Sequence, residues 1–510
     1  MKNTNIPVKI LSLSDSDWRQ GISQQPNSNI GGIFQIASNF DPFELMGSAK
    51  PTLTFASNYS SINHTVKWLT SAIISNTNYL YALCHRQTDG TALVQINPSN
   101  GSVTDYSSQI YQGYGTAQVA ADILTVYKGR LIYGGSGDIR SNAITPAAAS
   151  DKSVIASVGG TPTCFCVGAD TALYVGTNIG TVAKITDPTT TGSPNSANAF
   201  SGFTSDFQIR DMINDGRYLA IVGDTNSGNF TSLEAGTAFT TTSNCRCQIQ
   251  WWDYAKGVAD VVWEFEDAYV TAMEYLDGNC YIFGYNNIWV CNISTPPRIL
   301  ARLNGNSTIV GRPIHAGSVV KSQGCIYWID GTSGNFGRVW AYGNPIAGQP
   351  KVFFQPFITN NDVSAYGSCL YNIGTNFYAG TTLPAVTPVN GSTSRNQMTL
   401  QTTNITLDRP YKFAYAKVLL DSPLAANEFV TFTASSQNGS HTLLTGSINY
   451  NSSNPLQTLL FKRGDVSTSG FIGDFEDINV QIITGGTTTQ PTIAKVEVYA
   501  NPLDSQTQYI

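Results

Sequence analysis

The sequence predicts an all-β protein: a seven-bladed β-propeller followed by a C-terminal β-sandwich or jelly roll. Three observations carry that expectation. Only 12% of the 510 residues are charged, against about a quarter in an average domain, while 41% are hydrophobic and 46 are glycine. A short apolar pattern recurs along the middle of the chain at intervals of 41 to 62 residues. Beyond residue 396 the apolar segments become longer and more regular. The composition also excludes classes. Disordered chains lack aromatics and carry high net charge, whereas 11% of this chain is aromatic and its net charge is −6. Long helices need Ala, Glu, Lys and Leu, and here Thr, Ser, Asn and Gly are abundant instead. The negative balance argues against a general grip on nucleic acid. More than one core is expected, because single cores stop growing at roughly 250–300 residues.

Residues 1–50 are the first element, expected as an extended arm lying on the propeller or on a neighbouring subunit. The stretch is polar. It holds a turn at Gln24-Gln25-Pro26, a short apolar strand at 33–36 and the segment Asn39-Phe40-Asp41-Pro42-Phe43.

Residues 51–396 are the expected propeller. The repeated pattern is a turn residue, an apolar run and often a closing glycine, as in Gly129-Arg130-Leu131-Ile132-Tyr133-Gly134. Its seven instances begin at Asn78, Gly129, Asp170, Gly216, Gly278, Gly324 and Gly367. A period of roughly 40–50 residues with several short strands per unit is the signature of propeller blades. Turns such as Asn97-Pro98-Ser99-Asn100-Gly101 follow some instances; Asn-Pro opens such a turn and Gly supplies the positive φ that closes it. Arranging the sheets in a ring lets each face cover its neighbour. The long interval from 216 to 278 implies an insertion within a blade, including the polar stretch 224–244. Several β-sandwiches in tandem are the alternative, and no GH…WD signature marks the repeat as WD40.

Residues 397–510 are the expected sandwich, with strands at 411–420, 428–434, 441–448, 457–462, 478–484 and 492–499 between turn-rich segments. Tyr411, Phe413 and Tyr415 alternate onto one face, which is expected to be buried.

Chemistry-bearing motifs are sparse. None of His64, His85, His315 and His441 falls in a metal or catalytic spacing, and no P-loop, nucleophile elbow or dinucleotide fingerprint is visible. No cofactor or metal is expected. The nine cysteines include two C-x-C pairs, Cys164/Cys166 and Cys245/Cys247, read as small buried thiols rather than as a zinc half-site. Glu264 and Glu266 would share a strand face, either as an acid/base pair or as charges blunting an exposed edge. Trp251, Trp252 and Tyr254 would form a sugar platform or pack between blades. The sialidase-type Asp-box is missing; Ser14-Asp15-Ser16-Asp17-Trp18 lacks its Gly and Thr. No apolar stretch suits a secretory signal and none approaches the ~18 residues of a membrane span, so a chain made and kept in a cytoplasm is expected.

The segment Gly21-Ile22-Ser23-Gln24-Gln25-Pro26 resembles the G-[IV]-S-Q-Q-P near the N-terminus of tail nozzle (tail tubular) proteins of short-tailed bacteriophages. There it also precedes β-propeller material. Asn39-Phe40-Asp41-Pro42-Phe43 is similar to an N-F-D-x-F element of other phage propeller proteins, which often end in a β-sandwich. The resemblance implies a structural subunit of a tailed-phage virion, in the nozzle, hub or tip, rather than an enzyme. It implies a homo-oligomeric ring of six copies around the DNA channel, contacts to other tail proteins, no sequence-specific nucleic-acid binding, and residence in the host cytoplasm until assembly. Two other readings stand beside it. One is a receptor- or glycan-binding tail fibre or lectin-like protein whose partner is a host surface glycan. The other is a propeller glycosidase using Glu264 and Glu266.

Overall fold

The structure, a computed structural model, describes residues 6–22, 34–45, 47–59, 62, 65–86, 90–106, 123–135, 137–146, 153–192, 195–226, 245–303, 311–331, 337–358, 367–381, 385–437, 439–462 and 473–503. The chain divides into two compact units. One is Ala56–Val339 with Thr359–Val389; the other is Met1–Phe55 with Trp340–Ile358 and Asn390–Ile510.

The chain opens with β1 (Val8–Ser14) and β2 (Phe34–Ser38). A first four-stranded sheet follows: β3 (Thr65–Ile74), β4 (Thr77–Arg86), β5 (Gly90–Ile96) and β6 (Val103–Asp105). The second is β7 (Ile123–Tyr127), β8 (Arg130–Gly135), β9 (Asp138–Ala143) and β10 (Ser153–Ser157). The third is β11 (Pro162–Val167), β12 (Leu173–Thr177), β13 (Val182–Ile185) and β14 (Ser196–Phe200). The fourth is β15 (Gln208–Asn214), β16 (Leu219–Asp224), β17 (Cys245–Trp252) and β18 (Val261–Asp267). The fifth is β19 (Val270–Leu276), β20 (Asn279–Gly284), β21 (Asn287–Asn292) and β22 (Thr295–Arg302). Next come the hairpin β23 (Val319–Ser322) and β24 (Cys325–Ile329), then β25 (Arg338–Gly343) and β26 (Val352–Ile358). A three-stranded sheet is formed by β27 (Gly367–Ile373), β28 (Asn376–Thr381) and β29 (Val386–Pro388). The remaining strands are β30 (Thr399–Thr402), β31 (Ile405–Leu420), β32 (Phe429–Ser436), β33 (His441–Asn449), β34 (Thr458–Lys462), β35 (Phe475–Gly485) and β36 (Ile493–Pro502).

The first unit is a β-propeller. Its sheets are antiparallel meanders, and their first strands pack in sequence: β3 on β7, then β11, β15, β19, β23 and β27, with β27 returning to β3. The ring is closed at its rim as well. Ala56 and Tyr59, where the unit begins, donate their N–H groups to Pro388 and Val386 of β29, where it ends. Six of the seven repeats mark the second strand of a sheet, which lies between neighbours on both faces. That position explains the unbroken apolar runs: Leu173–Thr177, Leu219–Asp224 and Cys325–Ile329 are buried at every residue. The seventh differs. Gly367 begins β27, a first strand; the matching second strand is β28, whose Phe377-Tyr378-Ala379-Gly380 carries the same pattern nine residues later. Of the expected insertion, residues 227–244 lie outside the described residues.

The second unit gathers β1, β2, β26 and β30–β36 into one connected sheet, in the order β1-β36-β31-β35-β30-β2-β26. Strands β32 and β33 extend from β35, and β34 pairs with β31. Each of the six segments expected as strands in 397–510 falls on one of these. The two N-terminal strands, expected within an extended arm on the propeller or a neighbouring subunit, are paired into this sheet. β1 pairs antiparallel with β36, and β2 with β30, because both would otherwise be left as open edges. Trp18 fixes the entry, buried against Phe34 and donating its indole N–H to the Ala494 carbonyl. Tyr411, Phe413 and Tyr415 do not share a buried face. A bulge between Phe413 and Tyr415 shifts the alternation, so that Tyr411 is buried on one side of it and Ala416, Val418 and Leu420 on the other.

Candidate functional site

The most developed polar arrangement lies along the inner strands of the propeller. A bulge interrupts five of them at one equivalent point: Lys67 in β3, Thr163 in β11, Arg210 in β15, Thr271 in β19 and Ser368 in β27. All five bulged residues are polar and buried. A bulge leaves its residue unpaired in the ladder and re-aims its side chain; two of the five bond directly to the next sheet, while the Thr271 hydroxyl donates within its own sheet to the Phe283 carbonyl at 3.1 Å. The Thr163 hydroxyl donates to the Ile209 carbonyl at 2.6 Å, just ahead of the bulge at Arg210. The Ser368 hydroxyl donates to the Val66 carbonyl at 2.5 Å, just ahead of the bulge at Lys67.

Arg210 performs the same task through a carboxylate. Its guanidinium forks onto Asp224, with both N···O distances 3.0 Å, and also donates to the Asn226 carbonyl at 2.8 Å. Asp224 in turn accepts from the backbone N–H of Val270, ahead of the bulge at Thr271 in the fifth sheet, at 2.8 Å. Both charges are fully buried, and the pair is supported by further hydrogen bonds: Asp224 also accepts from the Asn226 N–H at 2.9 Å. Asp211 crosses the same seam and accepts from Met273 N–H at 2.7 Å. Burial pushes its carboxyl up to about 8, against the opposing effect of backbone N–H donors from Met273 and Met212. Glu274, half-buried on β19, is also raised by burial. Asp267 also joins the fourth sheet to the fifth, accepting from Ala268 and Asn286 N–H and from the Asn287 and Trp289 side chains.

The closing glycine of the repeat belongs to this seam. A Cβ on Gly176 would lie 2.6 Å from Ile209, and one on Gly380 would lie 2.9 Å from Val66, the residues whose carbonyls receive the bulge hydroxyls. Sheet-to-sheet approach at these points therefore requires glycine.

The residues singled out in the sequence fall elsewhere. Gly21 and Ile22 begin the phage-like hexapeptide. Gly21 has φ +66°, and a Cβ there would lie 2.6 Å from Val352 Cβ. Ile22 bridges to both Phe353 and Phe34. Ser23, Gln24, Gln25 and Pro26 lie outside the described residues. Glu264 and Glu266 are exposed on β18, an edge strand, where Gln248 donates to Glu264 at 2.6 Å. Trp251 and Trp252 are buried on opposite faces of β17, Trp251 among Ala220, Val222 and Ile249, and Trp252 among Tyr174 and Phe200. They pack between sheets and present no platform.

Of the histidines, His64 lies outside the described residues, and His85 and His441 sit on β4 and β33. His315 stacks on Trp68 at 5.1 Å and accepts from Gly317 N–H at Nδ1. Burial, with the Lys67 charge nearby, pushes it down to about 3, so it stays neutral near neutral pH. Cys245 and Cys247 place their sulfurs 3.9 Å apart; the hydrogen bond between them lowers Cys245 and raises Cys247. Among the described residues no group of three or more His, Cys, Asp and Glu could hold a metal ion. None of the described helices is long and apolar enough to cross a membrane.

The sequence reading missed the inner seam. Its signals were an adjacent Arg and Asp within the segment Phe207-Gln208-Ile209-Arg210-Asp211-Met212 and an Asp closing Ala220-Ile221-Val222-Gly223-Asp224. Asp224 instead reads as the start of a polar loop.

No family model matches the chain, and no curated protein matches it. Solved structures resemble it over about two thirds of its length. The WD40 propeller domain of Doa1 is 10% identical, with TM-score 0.45, covering 67% of this chain and 97% of its own. A catalytically inactive virginiamycin B lyase from Staphylococcus aureus, solved with quinupristin, is 11% identical, with TM-score 0.44, covering 66% and 99%. The computationally designed Ika8 protein is 13% identical, with TM-score 0.38, covering 65% and 99%. The chain is a β-propeller protein by the order of its own sheets, and these structures are what it is similar to.

Proposed function

We propose that this protein is a structural subunit of a tailed-phage virion, in the tail nozzle, hub or tip, that works by binding its neighbours and not by catalysis. The observation that carries the reading is Gly21. The hexapeptide similar to that of nozzle proteins begins at a point where a positive φ and the contact with Val352 admit only glycine, and where Ile22 anchors to Phe34 and Phe353. The match thus falls on residues with a definite structural task. A second support is the fate of the buried charges: Arg210, Asp224, Asp211 and Asp267 are spent on joining sheets. None of the three solved structures named above is described as a virion protein.

In this reading the propeller has seven blades, with β23 and β24 opening the sixth and β27–β29 forming the seventh. The strands from 397 onward form a sandwich that the two N-terminal strands complete. Copies of the chain assemble in a ring, six in number as in nozzle proteins, around the DNA channel beside other tail proteins. The protein resides in the host cytoplasm until assembly. The acidic total suits a channel that must release passing DNA, since dense Lys and Arg would hold phosphates. Mass spectrometry of purified virions tests it. The chain is expected among the tail proteins at six copies per ring, and its absence from intact particles would overturn the reading.

A further inference from the structure

The outward face of the sheet β1-β36-β31-β34 can be read off its register. Leu13, Val496, Val498, Ala500, Ala416, Val418, Leu459 and Phe461 point into the core. The alternate residues face water and line up in three rows across the four strands. The first row is Lys9, Tyr499, Tyr415, Lys462; the second is Ser12, Glu497, Lys417, Leu460; the third is Ser14, Lys495, Leu419, Thr458.

Three features of this grid go beyond a solvated sheet face. Two tyrosines stand side by side on it, with ring centroids 4.6 Å apart and planes 19° from parallel. Tyr415 reaches that position only because of the bulge between Phe413 and Tyr415; in unbroken alternation it would follow Tyr411 inward. The charge is also one-sided. Lys9, Lys417, Lys462 and Lys495 surround a single carboxylate, Glu497, on a chain whose net charge is −6. Glu497 is itself saturated by Lys495 at 2.8 Å, Lys9 at 3.3 Å and the Tyr499 hydroxyl at 3.0 Å. The Lys417 ammonium lies 5.7 Å and 5.3 Å from the two ring centroids, which orients it across the pair.

We propose that this face binds an acidic polysaccharide. Aromatic rings on an open sheet stack against the C–H faces of sugars, and the lysines flanking them at both ends of the row meet sparse carboxylates along the polymer. Four strands span about 14 Å, enough for a short run of sugar rings rather than one enclosed molecule. A polysaccharide fits better than single-stranded nucleic acid, which also stacks on aromatics. A nucleic-acid backbone needs a continuous basic track, and here Glu497 lies in the middle row between the lysines. Sugar hydroxyls both donate and accept, so they tolerate the one carboxylate, Glu497, among the lysines. The inference does not depend on the virion reading.

The test uses the full-length protein in affinity electrophoresis and calorimetry, with alginate as the uronic-acid polymer, dextran as the neutral polymer and a dT oligonucleotide. Alginate is expected to bind, more weakly as salt rises, and dextran is not. Lys417→Glu and the pair Tyr415→Ala with Tyr499→Ala should each weaken alginate binding at least tenfold, while Tyr415→Phe keeps it. Lys256→Ala, outside the face, should leave it unchanged. A single cooperative thermal unfolding transition, complete above the assay temperature, shows that the variants fold. No binding of alginate, binding indifferent to these substitutions, or tighter binding of the oligonucleotide would each overturn the proposal.

Discussion

The inner seam of the propeller and the outer face of the second unit's sheet use the same kinds of residue under opposite conditions. Arg210 and Asp224 are fully buried, so the pair must be matched by further hydrogen bonds, which the Asn226 carbonyl and the Val270 N–H supply. Lys9, Lys417, Lys495 and Glu497 lie on a wet face, where ion pairs are screened and can be exchanged for a ligand's. Low overall charge permits both. Few ionisable groups are present; Arg210, Asp224 and Asp211 inside join sheets, while Lys9, Lys417, Lys495 and Glu497 outside gather around two aromatic rings. A carboxylate's role is therefore set by its depth, and four measurements press on that contrast.

The largest effect is expected from Asp224→Ala. It leaves the Arg210 charge unpaired and the Val270 N–H unsatisfied, so unfolding in denaturant should lose about 3–5 kcal/mol. Asp206→Ala removes the exposed partner of Arg246 and should leave the midpoint where it is. Equal effects would break the contrast.

Asp211 comes next. Its folded-state value of about 8 lies above its ordinary 3.8, so the native protein binds that proton more tightly than the unfolded chain does. The stabilisation is complete below about pH 4 and is lost as pH rises through 8, by up to about 1.4 kcal/mol per pH unit. Asp211→Asn should flatten this part of the stability-against-pH curve. A curve unchanged by the substitution would show that the carboxylate stays ionised in the seam.

Gly176→Ala and Gly380→Ala should each cost about 1–3 kcal/mol by thermal or denaturant unfolding, because the new methyl meets Ile209 or Val66. Gly129→Ala provides the control for space. No atom stands within 4 Å of its Cβ position, so only the strain of φ +72° remains. The smallest effect is expected from Tyr415→Ala, about 1 kcal/mol or less, since the ring faces water and loses chiefly its partner Tyr499. A larger loss would mean that the ring supports the fold.

Much of the fold was legible in the sequence, and the reason is burial on two sides. A second strand between neighbouring sheets must be apolar throughout, so Leu173-Tyr174-Val175-Gly176 and Leu219-Ala220-Ile221-Val222-Gly223 stand out from a polar chain. The same rule misled at Gly367, whose run Gly367-Ser368-Cys369-Leu370 is as buried as a second strand although it lies on a first. Candidate chemistry was less legible. Trp251 and Trp252 give the same letters whether they line a groove or pack between sheets, and only the two core clusters decide between them. Tyr415 read as core because the bulge that turns it outward leaves no mark in the alternation of Tyr411, Phe413 and Tyr415.

By itself the sequence determined the class of structure: all-β, repeated, weakly charged, with a change of texture near residue 396. Those properties follow from local alternation and composition, which each segment carries without its neighbours. The tertiary structure alone decided which edges are covered and which polar groups meet. β1 and β2 join strands 300 to 500 residues away in the chain, and Arg210 finds Asp224 only once β15 and β16 are aligned. Such pairings depend on register and on the ring closing, and register is a property of two strands together.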